Sequence, residues 1–144
     1  FAYWDYGVEL SRRFRALKVW LTLSYYGARR IAEAVSDDIS LAAYMGEIVS
    51  AADDFELLAP VELSICCFRY VPPGPNTDLD QLNERIMSRV QTSGRAYLSN
   101  ATVNGHFALR ACITNFRTTK SDIELTIETI RDAARQEIRN INVS

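Results

Sequence analysis

Val103-Asn104-Gly105-His106-Phe107-Ala108-Leu109-Arg110-Ala111-Cys112-Ile113-Thr114 is the stretch on which the fold turns. Asn-Gly accepts the two positive φ angles of a two-residue hairpin turn, so residues 95–103 and 106–114 are predicted to pair as antiparallel strands. Past the turn, Phe107, Leu109, Ala111 and Ile113 alternate with Ala108, Arg110 and Cys112, the period of a strand with one buried face. Upstream, Val61, Leu63, Ile65 and Cys67 alternate with Glu62, Ser64 and Cys66 and predict another strand, after a short one at Phe55–Leu58 that Pro60 stops. Between the strand pairs, Pro72-Pro73-Gly74-Pro75 is a loop. It leads into a helix with Leu79, Leu82, Ile86, Met87 and Val90 on one face, capped at Asn76 or Thr77 and stopped at Gly94. Ser121-Asp122-Ile123-Glu124 reads as a capping box opening a last helix, with Ile123, Ile127, Ile130, Ala134 and Ile138 inward.

Two helices precede these elements. The first is predicted from Ser11, a candidate N-cap, to Tyr26, closed by Gly27 in the left-handed stop position. The second runs from Ala28 towards Ala52, with Ser36-Asp37-Asp38 as a candidate break. The order helix, helix, strand, strand, helix, strand, strand, helix predicts an α+β fold, an antiparallel sheet covered by helices on one face.

At 144 residues and 48% hydrophobic, the chain is long enough for one core. Its 16 basic and 18 acidic residues leave no charge imbalance for nucleic acid or an anionic membrane, and no apolar run reaches membrane-spanning length. Three cysteines, with Cys66 and Cys67 on opposite strand faces, make a disulfide framework an unfavoured reading and a reducing cytoplasm the expected one. One histidine and no second cysteine pair give no metal-ligand spacing. Phe1-Ala2-Tyr3-Trp4-Asp5-Tyr6 carries four aromatic rings and is expected to pack on something outside the chain.

The run Ser11-Arg12-Arg13-Phe14-Arg15-Ala16-Leu17-Lys18-Val19-Trp20 threads four cations through an apolar stripe. Together with Phe107-Ala108-Leu109-Arg110-Ala111-Cys112-Ile113-Thr114-Asn115 and Thr118-Thr119 before a helix, it resembles the C-terminal part of the group II pyridoxal-phosphate-dependent amino-acid decarboxylases, which act on aromatic amino acids, tyrosine, histidine and glutamate. The resemblance implies a carboxy-lyase converting an L-amino acid, expected to be aromatic, to its amine and carbon dioxide. It also implies the small C-terminal domain of a fold-type I enzyme and a homodimer. Residues 1–54 would link to a large domain absent from this sequence, and residues 55–144 would form the small domain. Pyridoxal 5′-phosphate would be bound by that large domain. The only lysines, Lys18 and Lys120, lack the preceding histidine usual for the family's cofactor lysine, so this chain alone is expected to be inactive.

Two residues are candidates for substrate binding, and no catalytic residue is assigned. Arg110, mid-strand between small neighbours, offers a planar fork to a carboxylate, and the family's matching arginine lies near the substrate; the competing reading is a surface or inter-domain ion pair. Ser11 matches a family position bordering the substrate side-chain pocket, where animal aromatic amino-acid decarboxylases often have glycine and histidine decarboxylases serine; the competing reading is the helix cap. His106 reads as a solvent-facing turn residue, Cys66-Cys67 as packing, and the Asp37-Asp38 and Asp53-Asp54 pairs as solvated helix ends. The alternative function is a non-enzymatic α+β module that binds a ligand or partner on its own.

Overall fold

The computed structural model describes residues 13–74 and 78–141. Ser11, the aromatic run at residues 1–6 and the predicted caps Asn76 and Thr77 lie outside the described residues. The chain divides into two compact units, Phe1–Ala34 and Val35–Ser144.

In the first unit, helix α1 spans Arg15–Tyr26, later than the predicted start at Ser11, with Phe14 in the cap position and no side chain bonding the free N–H groups. No residue of α1 is buried. Gly27 stops it as predicted, but with φ 78° and ψ 151°, a region open to glycine that is not the left-handed helical one. Helix α2, Ala28–Ala51, begins immediately and runs unbroken through Ser36-Asp37-Asp38, where Ser40 returns its hydroxyl to the Ser36 carbonyl at 2.8 Å.

The second unit is the expected α+β layer. Strands β1 (Phe55–Leu57), β2 (Ile65–Tyr70), β3 (Ser99–Val103) and β4 (His106–Cys112) form an antiparallel sheet in the order β1-β2-β4-β3. Its inner face packs Phe55, Cys66, Phe68, Tyr70, Leu109 and Ala111 against α2, α3 (Leu79–Ser93) and α4 (Lys120–Ile141), which contribute Met45, Leu82, Ile86 and Ile127 among others. Phe55 meets Phe68 and Tyr70 edge-to-face at 5.8 and 5.5 Å, the geometry the ring quadrupoles favour. At Gly46 α2 passes against the β1–β2 connection: a Cβ there would stand 2.5 Å from a methyl of Val61.

Asn104 and Gly105 have φ of 51° and 82°, the turn predicted from their sequence. Gly94 ends α3 as predicted, and does so in the left-handed conformation. Other details differ: β3 starts at Ser99 and β4 ends at Cys112, both shorter than the predicted 95–103 and 106–114. Strand β2 starts at Ile65 rather than Val61, because Leu63 has φ 51° in a tight turn closed by Ile65 N–H to the Glu62 carbonyl. The strand continues to Tyr70, and Cys66, Phe68 and Tyr70 face the core while Ile65 and Cys67 face away. A shift of one in strand parity exchanges every side chain between faces, and the buried Phe68 and Tyr70 rings decide the parity here. Helix α3 is capped by Asp78, which accepts from Gln81 N–H at 3.1 Å. Helix α4 is capped two residues earlier than predicted: Asp122 accepts from both the N–H and the hydroxyl of Thr119, each at 2.8 Å, while Glu124 accepts from the Tyr44 hydroxyl.

Asp54 is no solvated helix end. Its carboxylate receives two bonds from the Arg131 guanidinium, at 2.7 and 2.8 Å, which tie the head of β1 to α4, and the same guanidinium lies 5.3 Å from the Phe55 ring centre. The Arg131 bond holds the Asp54 carboxyl below its ordinary range, and burial opposes it. A depressed folded-state pKa stabilises above the unfolded value and loses that stabilisation as pH falls through the folded one. Urea midpoints of the native chain should therefore fall between pH 5 and about pH 3 more than those of Arg131→Met, which starts less stable at neutral pH. Equal acid sensitivity of the two proteins would show that this pair carries none of it. Among the described residues no helix is long and apolar enough to cross a membrane, and no cluster of side chains suits a metal ion.

Candidate functional site

By strand alternation the sheet face turned away from the helices carries Ile65, Cys67 and Arg69 of β2, Ala108, Arg110 and Cys112 of β4, and Ser99, Ala101 and Val103 of β3. An antiparallel sheet face left to water is usually polar; most of these side chains are small or apolar. Two cations stand among them. Arg69 is satisfied by Glu56 of β1, with Nε 2.7 Å from the carboxylate.

Arg110 is different. It lies half-buried at the centre of the face, in register with Cys67 on one side and Ser99 on the other. Its Nε donates to the Ser99 hydroxyl at 3.0 Å, and it has no ion pair among the described residues. The two terminal nitrogens are thus available to an anion from outside these residues. The Cys67 thiol in register with it is not an anion. Burial pushes the Cys66 thiol, on the core side, up to about 12. Burial also raises Cys67, against the pull of the Arg110 charge, so its sulfur stays protonated and offers the guanidinium no counter-ion. The arrangement is a cation seated among neutral groups, suited to binding and orienting a carboxylate.

The strand that carries Arg110 is fixed at its far end by α3. Between β2 and β4 the pairing stops at Phe68–Leu109 although both strands continue. The gap is filled by side chains of the first turns of α3. Asp80 accepts from Phe107 N–H at 3.0 Å. Asn83, completely buried, accepts from Tyr70 N–H at 2.7 Å and donates to the Tyr70 carbonyl at 2.9 Å.

Of the residues singled out in the sequence, the structure places Arg110 at this face with Cys67 and Cys112, and leaves His106 exposed beside the turn. Sequence reasoning passed over Ser99, Asp80 and Asn83. The hairpin register counted back from Asn104-Gly105 would have put Ser99 opposite Arg110; nothing in the pattern marks the other two.

The cofactor implied by the sequence needs a sheltered lysine and a cradle for its phosphate. Lys18 is exposed on α1, and Lys120 is exposed at the start of α4 with its Nζ 4.6 Å above the Tyr44 ring. The described residues do not fit pyridoxal phosphate, and no chemical step is assigned to it on this chain.

Comparison with known proteins gives consistent matches. The pyridoxal-dependent decarboxylase conserved domain matches residues 2–71. The chain is 33% identical to 4-hydroxyphenylacetaldehyde synthase of Rhodiola rosea over 92% of its own length, and 35% identical to an aromatic-L-amino-acid decarboxylase of Bacillus atrophaeus over 81%. It covers 27% and 25% of those two proteins, so it spans about a quarter of their length. The crystal structure of Oryza sativa TDC with PLP and tryptamine superposes with a TM-score of 0.81 at 28% identity, over 92% of this chain and 29% of that one. The Rhodiola rosea synthase structure superposes at 0.79 and 33% identity, over 93% and 29%.

Proposed function

This chain belongs to the pyridoxal-dependent decarboxylase family, and from that premise we propose that it is the C-terminal part of an amino-acid decarboxylase that converts an aromatic L-amino acid to its amine and carbon dioxide. One observation carries the reading: a half-buried arginine, Arg110, lies on the sheet face without a helical cover, with no carboxylate partner among the described residues. Every amino-acid substrate supplies that carboxylate. The names of the relatives favour an aromatic side chain, and Ser11 is assigned to the border of its pocket.

When bound, pyridoxal phosphate supplies the electron sink for loss of carbon dioxide, and parts of the enzyme outside this chain hold it. The share of this chain is orientation. The Arg110 fork binds the substrate carboxylate by charge-assisted hydrogen bonds, and the small neighbours Ala108, Cys67 and Cys112 leave room for it. The apolar groups around it keep water from competing for the fork. On this reading residues 1–54 lead from the large domain into the small domain of residues 55–144, and the enzyme is a cytoplasmic homodimer. The 144-residue chain alone turns nothing over.

The test is product analysis. Full-length enzyme loaded with pyridoxal phosphate is given L-tyrosine, L-tryptophan, L-histidine and L-glutamate, and amine, aldehyde and carbon dioxide are measured. Amine and carbon dioxide in equal amounts from an aromatic substrate are expected. Aldehyde as the main product would move the enzyme to the chemistry named for its Rhodiola relative, and turnover of glutamate alone would overturn the aromatic assignment.

A further inference from the structure

Ser99 and Arg110 face each other across the β3–β4 pair. The Ser99 hydroxyl accepts from Arg110 Nε at 3.0 Å and donates to the Arg110 backbone carbonyl at 3.4 Å. One hydroxyl thus ties the arginine's side chain to the arginine's own main chain. A guanidinium can receive a carboxylate in two bidentate ways, along the edge formed by Nε and one terminal nitrogen or end-on across both terminal nitrogens. With Nε engaged by Ser99, only the end-on fork is open.

We infer that Ser99 is a positioning residue: it holds Arg110 so that the substrate carboxylate is met end-on by the two terminal nitrogens, in a single orientation. The inference rests on the assignment of Arg110 to the substrate carboxylate made above. Removing the hydroxyl leaves the charge in place, so the carboxylate is still attracted. It also frees Nε, and side-on binding then turns the bond to be broken away from its productive direction. Loss of orientation lowers turnover more than it weakens binding.

Four variants of the full-length, cofactor-loaded enzyme test this: Ser99→Ala, Ser99→Thr, Arg110→Ala and the double variant Ser99→Ala with Arg110→Ala. Ser99→Ala is expected to lower kcat by about tenfold with a change in KM of no more than about twofold. Ser99→Thr keeps the hydroxyl and should restore turnover. In the Arg110→Ala background, Ser99→Ala should cause no further loss, because the serine acts only through the arginine. Affinity for the product amine, which has no carboxylate, should be the same in Ser99→Ala as in the native enzyme. If Ser99→Ala itself lowers the melting point, Ser99→Cys keeps the volume without the strong acceptor and is read in its place. Native kinetics for Ser99→Ala beside a damaged Arg110→Ala would overturn the positioning role and leave the carboxylate assignment standing. Native kinetics for Arg110→Ala would bring down the assignment itself. An undiminished serine effect in the arginine-free background, or failure of a folded Ser99→Thr to recover, would show that Ser99 acts by another route.

Discussion

Arg110→Ala in the full-length enzyme lowers kcat/KM by about ten- to a hundred-fold and leaves the melting point close to native. The magnitude is that of one charge-assisted hydrogen bond to a carboxylate, roughly 1.5–3 kcal/mol, the second bond of the fork being replaced in part by water. Stability should change little because the guanidinium lies outside the hydrophobic core and makes one side-chain hydrogen bond to a neighbouring strand. Arg110→Lys separates charge from geometry. An ammonium keeps the attraction but cannot form the planar fork, so it should recover binding of the substrate better than its turnover. A variant with normal kinetics and a lowered melting point would make Arg110 a structural residue and leave the carboxylate without a partner on this chain.

The largest effect on stability is expected from Asn83→Leu. Asn83 makes three hydrogen bonds with no exposure to solvent: from Tyr70 N–H, to the Tyr70 carbonyl, and to the Leu79 carbonyl at 2.8 Å. Val71 N–H goes to the Asp54 carbonyl on the β1 side, so by alternation the Tyr70 N–H and C=O point towards β4, whose pairing has already ended. Leucine branches at the same carbon but leaves both groups buried and unpaired, which costs about 1–3 kcal/mol each, or roughly 2–6 kcal/mol together. That is a large part of the net stability of a domain this size. The measurement is urea unfolding, with Asn83→Asp as the control, since an ionised aspartate retains the acceptor for Tyr70 N–H and loses the donors. A loss under about 1 kcal/mol for Asn83→Leu would mean that water satisfies Tyr70 in its place.

Much of this architecture was legible in the sequence where one residue type alone can do the job. Asn104-Gly105 and Gly94 mark positive φ angles, and the structure has turns at both. The alternation of Phe107, Leu109, Ala111 and Ile113 placed Arg110 on the outer face without reference to any other strand. Legibility failed where the deciding partner is distant in sequence or the local signal has two solutions. Asp54 looked like a helix end because Arg131 lies on the last helix. Thr119-x-x-Asp122 and Ser121-x-x-Glu124 both carry helix-opening signatures, and the first is used while Glu124 is drawn away to Tyr44 on α2, a partner distant in sequence. Val61 and Leu63 continue the apolar alternation into a turn, so the pattern alone cannot show where the strand begins. Asn83 sits on the buried stripe of α3 with no local pattern to mark it; its need arises only because two strands part company beside it.

The strand order β1-β2-β4-β3 makes the sheet two hairpins set side by side, joined along a seam between β2 and β4. Each hairpin closes a short loop, whereas the seam can close only around the whole of α3, so the entropy of joining chain ends falls mainly on the seam. Arg110 stands on that seam: its serine neighbour belongs to its own hairpin, and its thiol neighbour, Cys67, arrives from the other. The order in which a folding chain can afford these contacts therefore makes the surroundings of Arg110 one of the last features to be completed, and a half-folded chain presents the guanidinium without the neighbour that the second hairpin brings.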